Sequence, residues 1–247
     1  MSRHPLSIDN FHSLFPAPLF PSYAGTTTRP RYSTRARRDR SSRHHRRLRY
    51  HTPSQRMASS ADPGPVYFWK ESDPEAGYLS QWYYCPFRDD KDERIRYKTA
   101  EHYMMFQKAM LFKDEHTAIE VLKAATPRKV KALGRKVKNF NEATWLKHRC
   151  DIVRHGNILK FTRAISEKGY KKGSPSGNPL EGSLLDTLLR TGDRELVEAS
   201  PFDPVWGIGF KAADAEAARG SWGENLLGKE LMAVRSILRK KRDQGQL

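Results

Sequence analysis

Apolar residues are distributed unevenly along the chain. The stretch RPRYSTRARRDRSSRHHRRLRY (residues 29–50) is almost free of aliphatic side chains, whereas from Val66 onward apolar positions recur with strand or helix spacing. VYFWK (66–70) carries β-formers in every central place and reads as a short strand. AGYLSQWYYCPF, with a glycine and five aromatics, is too irregular for a clean helix. Thr99 is placed to cap a helix running to about Phe112. DEHTAIEVLKAA predicts a second helix with acids at its start, and Pro127 suits the first turn of a third, PRKVKALGRKV. Asn141 caps a long fourth helix from Glu142 to about Ala164, on which Trp145, Ile152 and Leu159 repeat every seven residues beside Leu146, Cys150 and Val153. GYKKGSPSGNPLEG is a polar loop, SLLDTLLRTG a fifth helix stopped by Gly192, and RELVEAS a short strand. PFDPVWGIGF is punctuated too often by Pro and Gly to be regular. The last helix, about Glu224–Arg239, puts Leu227, Leu231, Val234 and Leu238 on one face. The prediction is an α+β fold: a mainly helical single domain with a few short strands.

Charge divides the chain in the same way. Residues 1–60 contain twelve Arg, no Lys and only Asp9 and Asp39, which accounts for +10 of the net +17. Such a segment cannot bury enough apolar area to offset its ordering entropy, so residues 1–61 read as a disordered Arg/Ser-rich tail. A mitochondrial targeting segment, a nuclear-targeting or nucleic-acid-binding arm, and an upstream start ahead of Met57 all fit that composition. Residues 62–242 form a mildly basic domain large enough for a real core, and 243–247 a short C-terminal tail. Cys85 and Cys150 lack any metal-ligand spacing, and the histidines are scattered. No apolar run approaches the ~20 residues of a spanning helix. The expectation is a soluble, cytoplasmic protein, or a mitochondrial or nuclear one if the tail is a targeting signal, without a metal centre.

The candidate chemistry begins in RYKTAEHYMMFQKAM (96–110). Glu101 and Lys108 are seven residues apart, about 20° short of two turns, so they share a helix face at roughly 10 Å along the axis. That is too far for the i,i+4 pairing of a surface ion pair. Either both are solvated, or both open into one cleft and receive opposite ends of a ligand. In SPFDPVWGIGF, Asp203 precedes Trp206, Gly207 and Gly209; the loop either lines a site or forms an Asx turn plugged by the tryptophan. Trp222, Gly223 and Asn225 sit at the start of the last helix, a place suited to phosphate, although Glu224 opposes an anion there. Trp145 is either a core anchor or a stacking platform; His148 and Arg149 read as solvated. No P-loop, strand–GxGxxG–helix, HExxH or nucleophile-elbow motif occurs.

From Val66 to Arg239 the chain resembles the NADAR or YbiA-like family. The resemblance rests on FWKESDPEAGYLSQW, TAEHYMMFQKA, Trp145 followed by IVRHGNILKF, ELVEAS, DPVWGIGF and WGENLLGKELMAVR, all in order. It implies a small α+β fold of N-glycosidases that cleave a ribose C1′–nitrogen bond. The substrates it implies are early phosphoribosylamino intermediates of riboflavin synthesis first, and ADP-ribose on nucleobases as the alternative, with a non-catalytic ADP-ribose reader a third reading. Nucleic acid is thus an alternative partner to a small phosphoribosyl or ADP-ribosyl substrate, and no cofactor is implied. By position, the family's motif residues fall on Glu101, Gln107, Lys108, Asp203, Trp206, Gly207 and Asn225. Where bacterial relatives have Ser-Asn-Phe, this chain has Ser80-Gln81-Trp82, so Gln81 takes the place of an Asn contact. The resemblance assigns Glu101 as principal carboxylate with Asp203 as its partner, Lys108 to the substrate phosphate, and Trp206 and Trp82 to the base.

Overall fold

The computed structural model describes residues 64–165 and 183–247. The Arg-rich tail and the polar loop expected at 169–182 lie outside them. Among the described residues the strands are β1 (Val66–Phe68), β2 (Phe87–Arg88), β3 (Arg96–Tyr97) and β4 (Leu196–Glu198). The helices are α1 (Ala100–Leu111), α2 (Glu115–Lys123), α3 (Pro127–Gly134), α4 (Glu142–Thr162), α5 (Leu184–Arg190), α6 (Ala212–Ala215) and α7 (Leu226–Asp243). The architecture is α+β, mainly helical, as the apolar pattern predicts.

Helix starts fall where the capping residues stand. The side chains of Thr99, Asp114, Thr126 and Asn141 accept from the backbone N–H groups of His102, Thr117, Lys129 and Thr144. Each satisfies a donor the helix itself cannot pair. Ser183 and Asp186 close a reciprocal capping box on α5. Two features were not expected. Arg96–Tyr97, just ahead of the Thr99 cap, pairs with Phe87–Arg88 as a two-residue antiparallel ladder, a length too short to show a period. The last helix begins at Leu226, because Asn225 adopts a left-handed backbone at φ +49°.

Two strands far apart in sequence, β1 and β4, pair in parallel with Phe68 opposite Glu198. Helix α7 lies so close to β4 that a Cβ on Gly228 would stand 2.1 Å from the Leu196 carbonyl oxygen. Helix α1 is the centre of the body: it packs on α2, α3 and α4, and all but its last turn is buried. Tyr103 and Phe106 sit with Phe87 and Tyr97 in an aromatic cluster with ring centroids 5.0–6.3 Å apart. On α4 the stripe holds for Ile152, Val153 and Leu159, but Leu146 faces solvent at 49% exposure. Lys160 is fully buried, and its ammonium donates to the carbonyls of Tyr78 at 2.6 Å and Ser80 at 3.0 Å. This ties α4 to the segment that delivers Gln81 and Trp82. No helix of the described residues is long and apolar enough to cross a membrane.

Candidate active site

A cavity of about 650 Å³ opens between α1, α3, the start of α4 and the loops after β1 and β4. Glu101 lies in the first turn of α1 and is 6% exposed. Its backbone N–H donates to the Gln81 carbonyl at 3.0 Å, and the Trp82 indole N–H donates to its carboxylate. Burial pushes its pKa up to about 7; Lys131 and the Trp82 bond pull it down, while Asp203 pushes it further up. Two turns along α1, the Lys108 ammonium donates to the Gly134 carbonyl at 2.9 Å. It lies 4.3 Å from the Phe140 ring centroid and 5.3 Å from that of Trp145. Burial lowers its pKa, and Glu101 opposes that. Both charges of the opening helix therefore line one cavity.

The loop after β4 supplies the opposite wall. Asp203 Oδ1 accepts from the N–H groups of Val205 at 3.0 Å and Trp206 at 2.8 Å, an Asx turn that shapes the loop and leaves the residue on the cavity wall. Trp206 also lines the cavity, with the Arg149 guanidinium 5.8 Å from its ring centroid. Arg149 is not solvated as expected: its side chain is 16% exposed and stands 3.6 Å from Glu224, held between that carboxylate and the indole. At the rim, Phe202 is 83% exposed and its ring centroid is 5.9 Å from that of Trp69. Gln81 and Trp82 both reach the lining, and Gln81 Oε1 is sealed from solvent without a protein partner.

Three residues assigned to substrate by position lie outside the lining, each for a visible reason. Gln107 is buried and bonds the Tyr97 hydroxyl. Gly207 is buried, and a Cβ there would stand 2.6 Å from the Glu198 carbonyl oxygen, so its part is to let the loop close on β4. Asn225 engages both ends of its amide on β4: Oδ1 accepts from Glu198 N–H and Nδ2 donates to the Leu196 carbonyl, both at 3.0 Å.

Of the two readings of Trp145, the structure favours the platform: it is partly buried on the cavity wall rather than in the core. The structure also adds residues that sequence reasoning passed over. Lys131, Trp69 and Glu198 are likewise in the lining. Glu198 ends β4; its pKa is pushed up to about 8 by burial and then by Asp203, with Lys131 opposing and Glu101 adding. Its Oε2 is buried without a hydrogen-bond partner. The signal was present: Glu198 has the strand parity of the buried Leu196, an odd place for an acid. Among the described residues no cluster of His, Cys, Asp and Glu could hold a metal ion.

Comparison with known proteins agrees with this frame. An N-glycosidase of Acanthamoeba polyphaga mimivirus is 39% identical over 176 residues, covering 69% of this chain and 94% of the viral protein. A riboflavin biosynthesis protein of Vibrio vulnificus is 28% identical over 176 residues, which span 71% of this chain and 39% of that longer protein. The NMR structure of the Escherichia coli protein YbiA has the same fold, with a TM-score of 0.54 at 24% identity, over 76% of this chain and 92% of the bacterial one. The NADAR domain model matches residues 67–239, the β1-to-α7 body that builds the cavity, and the chain belongs to the NADAR family.

Proposed function

We propose that this protein is an N-glycosidase that hydrolyses the bond between a ribosyl C1′ and nitrogen. Its preferred substrate on this reading is an early phosphoribosylamino-pyrimidine intermediate of riboflavin synthesis. The observation that carries the proposal is that one face of α1 delivers a buried carboxyl, Glu101, and an ammonium, Lys108, into the same cavity. Cleaving such a bond passes through an oxocarbenium-like state with positive charge at C1′. A carboxylate beside that carbon stabilises the charge and orients water. Lys108, a compact cation two turns away, offsets the phosphate charge of the sugar. The indoles of Trp82, Trp145 and Trp206 provide flat walls for the base. Asp203 contributes negative charge at the wall while its Oδ1 holds the loop.

A longer ADP-ribosyl substrate is the second reading. It is favoured by a neighbouring hollow of about 440 Å³ that shares Trp69, Lys70 and Ser72 with the main cavity and adds Lys211. A product assay on both substrate classes separates the two. Glu101→Gln in purified protein tests the shared chemistry: release of ribose 5-phosphate or ADP-ribose should collapse. Survival within about tenfold, a rise of only ~1.4 kcal/mol in barrier, would rule out Glu101 as the catalytic carboxylate.

A further inference from the structure

Cleavage of a C–N bond involves two proton events, which two carboxyls can divide between them. The departing amine nitrogen must gain a proton, and the water that adds to C1′ must lose one. The family motif puts the second carboxylate at Asp203, but its Oδ1 is engaged by two backbone N–H groups and its place is fixed by the turn. The cavity holds another candidate. Glu198 is carried on β4, whose backbone is held from three sides. Asn225 Oδ1 accepts from the Glu198 N–H at 3.0 Å, the Glu198 carbonyl accepts from Ile208 N–H at 2.9 Å, and β1 pairs alongside. The carboxyl lines the cavity with Glu101, and its Oε2 is shut off from solvent with nothing in the protein to bond. A buried carboxyl oxygen without a partner costs more when the group is charged than when it is protonated.

We infer that Glu198 is the proton donor to the departing nitrogen, with Glu101 as the carboxylate that faces C1′ and receives the proton of the attacking water. The inference rests on the N-glycosidase reading. In the forward step the C1′–N bond breaks and its electron pair stays on nitrogen, which takes the Glu198 proton. Water adds to C1′ and its proton passes to Glu101. One proton must then return from Glu101 to Glu198 through solvent, and the sum is substrate plus water giving the free sugar and the free amine. The groups facing Glu198 fit this division: Glu101 from α1 and Asp203 from the loop are acids that disfavour a second negative charge, and Lys131 from α3 is the cation opposing them. Burial and these neighbours raise both carboxyls, Glu198 to about 8 and Glu101 to about 7, so that both hold a proton at higher pH than an ordinary carboxyl does.

The leaving group provides the test. Purified full-length protein is assayed on a 5′-phosphoribosylamino-pyrimidine, whose nitrogen must be protonated to leave. It is also assayed on β-nicotinamide mononucleotide, whose pyridinium nitrogen leaves neutral with no proton. Glu198→Gln should cut amine release by about 100-fold or more, the usual range for general acid catalysis. It should cut nicotinamide release far less than amine release, and remove the alkaline limb of the amine pH–rate profile. Glu198→Asp, which still titrates, should recover part of the amine activity and restore that limb. Equal losses on both substrates, or an unchanged alkaline limb in Glu198→Gln, would overturn the role. Wild-type protein inert on both substrates would overturn the N-glycosidase reading itself and the inference with it, whereas wild-type turnover with an indifferent Glu198→Gln would overturn the inference alone.

Discussion

Asn225 is the residue whose part in the molecule differs most between its sequence motif and its contacts, and its replacement has a worked outcome. Its amide bridges the β4 backbone at both ends, and its own backbone is left-handed at φ +49°. Truncation to Ala strips the Glu198 N–H and the Leu196 carbonyl of their partners. Leu196 is fully buried, so water does not replace the lost bond there. Each orphaned buried group costs about 1–3 kcal/mol. An alanine Cβ in the left-handed region adds roughly 1–2 kcal/mol, which Asn tolerates and Gly avoids. Asn225→Ala should therefore lose about 3–8 kcal/mol of unfolding free energy, and Asn225→Gly about 1–2 kcal/mol less. Urea denaturation followed by tryptophan fluorescence, with the slope checked for constancy, measures both. A loss under about 1 kcal/mol in Asn225→Ala, below the cost of a single orphaned group, would show that the β4 fork is not what this side chain does. Identical values for Ala and Gly would remove the backbone contribution.

The carboxyl pair predicts a pH signature in stability. Glu198 is raised to about 8 and Glu101 to about 7 in the folded protein, against an ordinary 4.5 unfolded. Between those values the folded state binds more protons, so each residue's contribution to stability falls as pH rises from about 4.5 through the folded pKa. Glu198→Gln should match wild type near pH 5 and exceed it at pH 8.5 by about 1 kcal/mol or more, since a tenfold change in proton affinity is worth about 1.4 kcal/mol. The wild-type-minus-variant difference in urea midpoint reads this directly, and a pH-independent difference would refute it. Gly228→Ala sets local preference against packing. The helix itself gains roughly 1 kcal/mol from Ala, but the new methyl meets the Leu196 carbonyl at 2.1 Å and the Asn225 amide at 2.5 Å, and α7 must lift from β4. A net loss of about 1–3 kcal/mol in denaturation is expected; a stabilised variant would refute the close approach.

Much of the fold was legible because it is local. Thr99 and Asn141 announce helix starts through their own hydrogen bonds, Pro127 marks another, and the apolar period of α7 names its buried face before any partner is known. Glu101 and Lys108 could be placed on one face from helix geometry alone. What was not legible depends on what lies opposite. Trp145 on α4 has the spacing of a core residue, yet α3 and the Lys108 ammonium leave its ring on a cavity wall. Lys160 looks like a surface cation on α4; only the arrival of the Tyr78 and Ser80 carbonyls, about eighty residues earlier in the chain, makes its burial tolerable. Glu198 shows the same thing at the site: the chain by itself places an acid at the end of a short strand. The pairing of β4 with β1, the Asn225 fork and the facing Glu101 leave that acid half-buried on the cavity wall, its Oε2 sealed and without a partner. Hydrogen-bonding type and helical or strand period are properties of neighbouring residues and were written in the sequence. The dielectric, the charges and the vacant valence around a side chain are properties of what folds against it, and those only the tertiary structure decided.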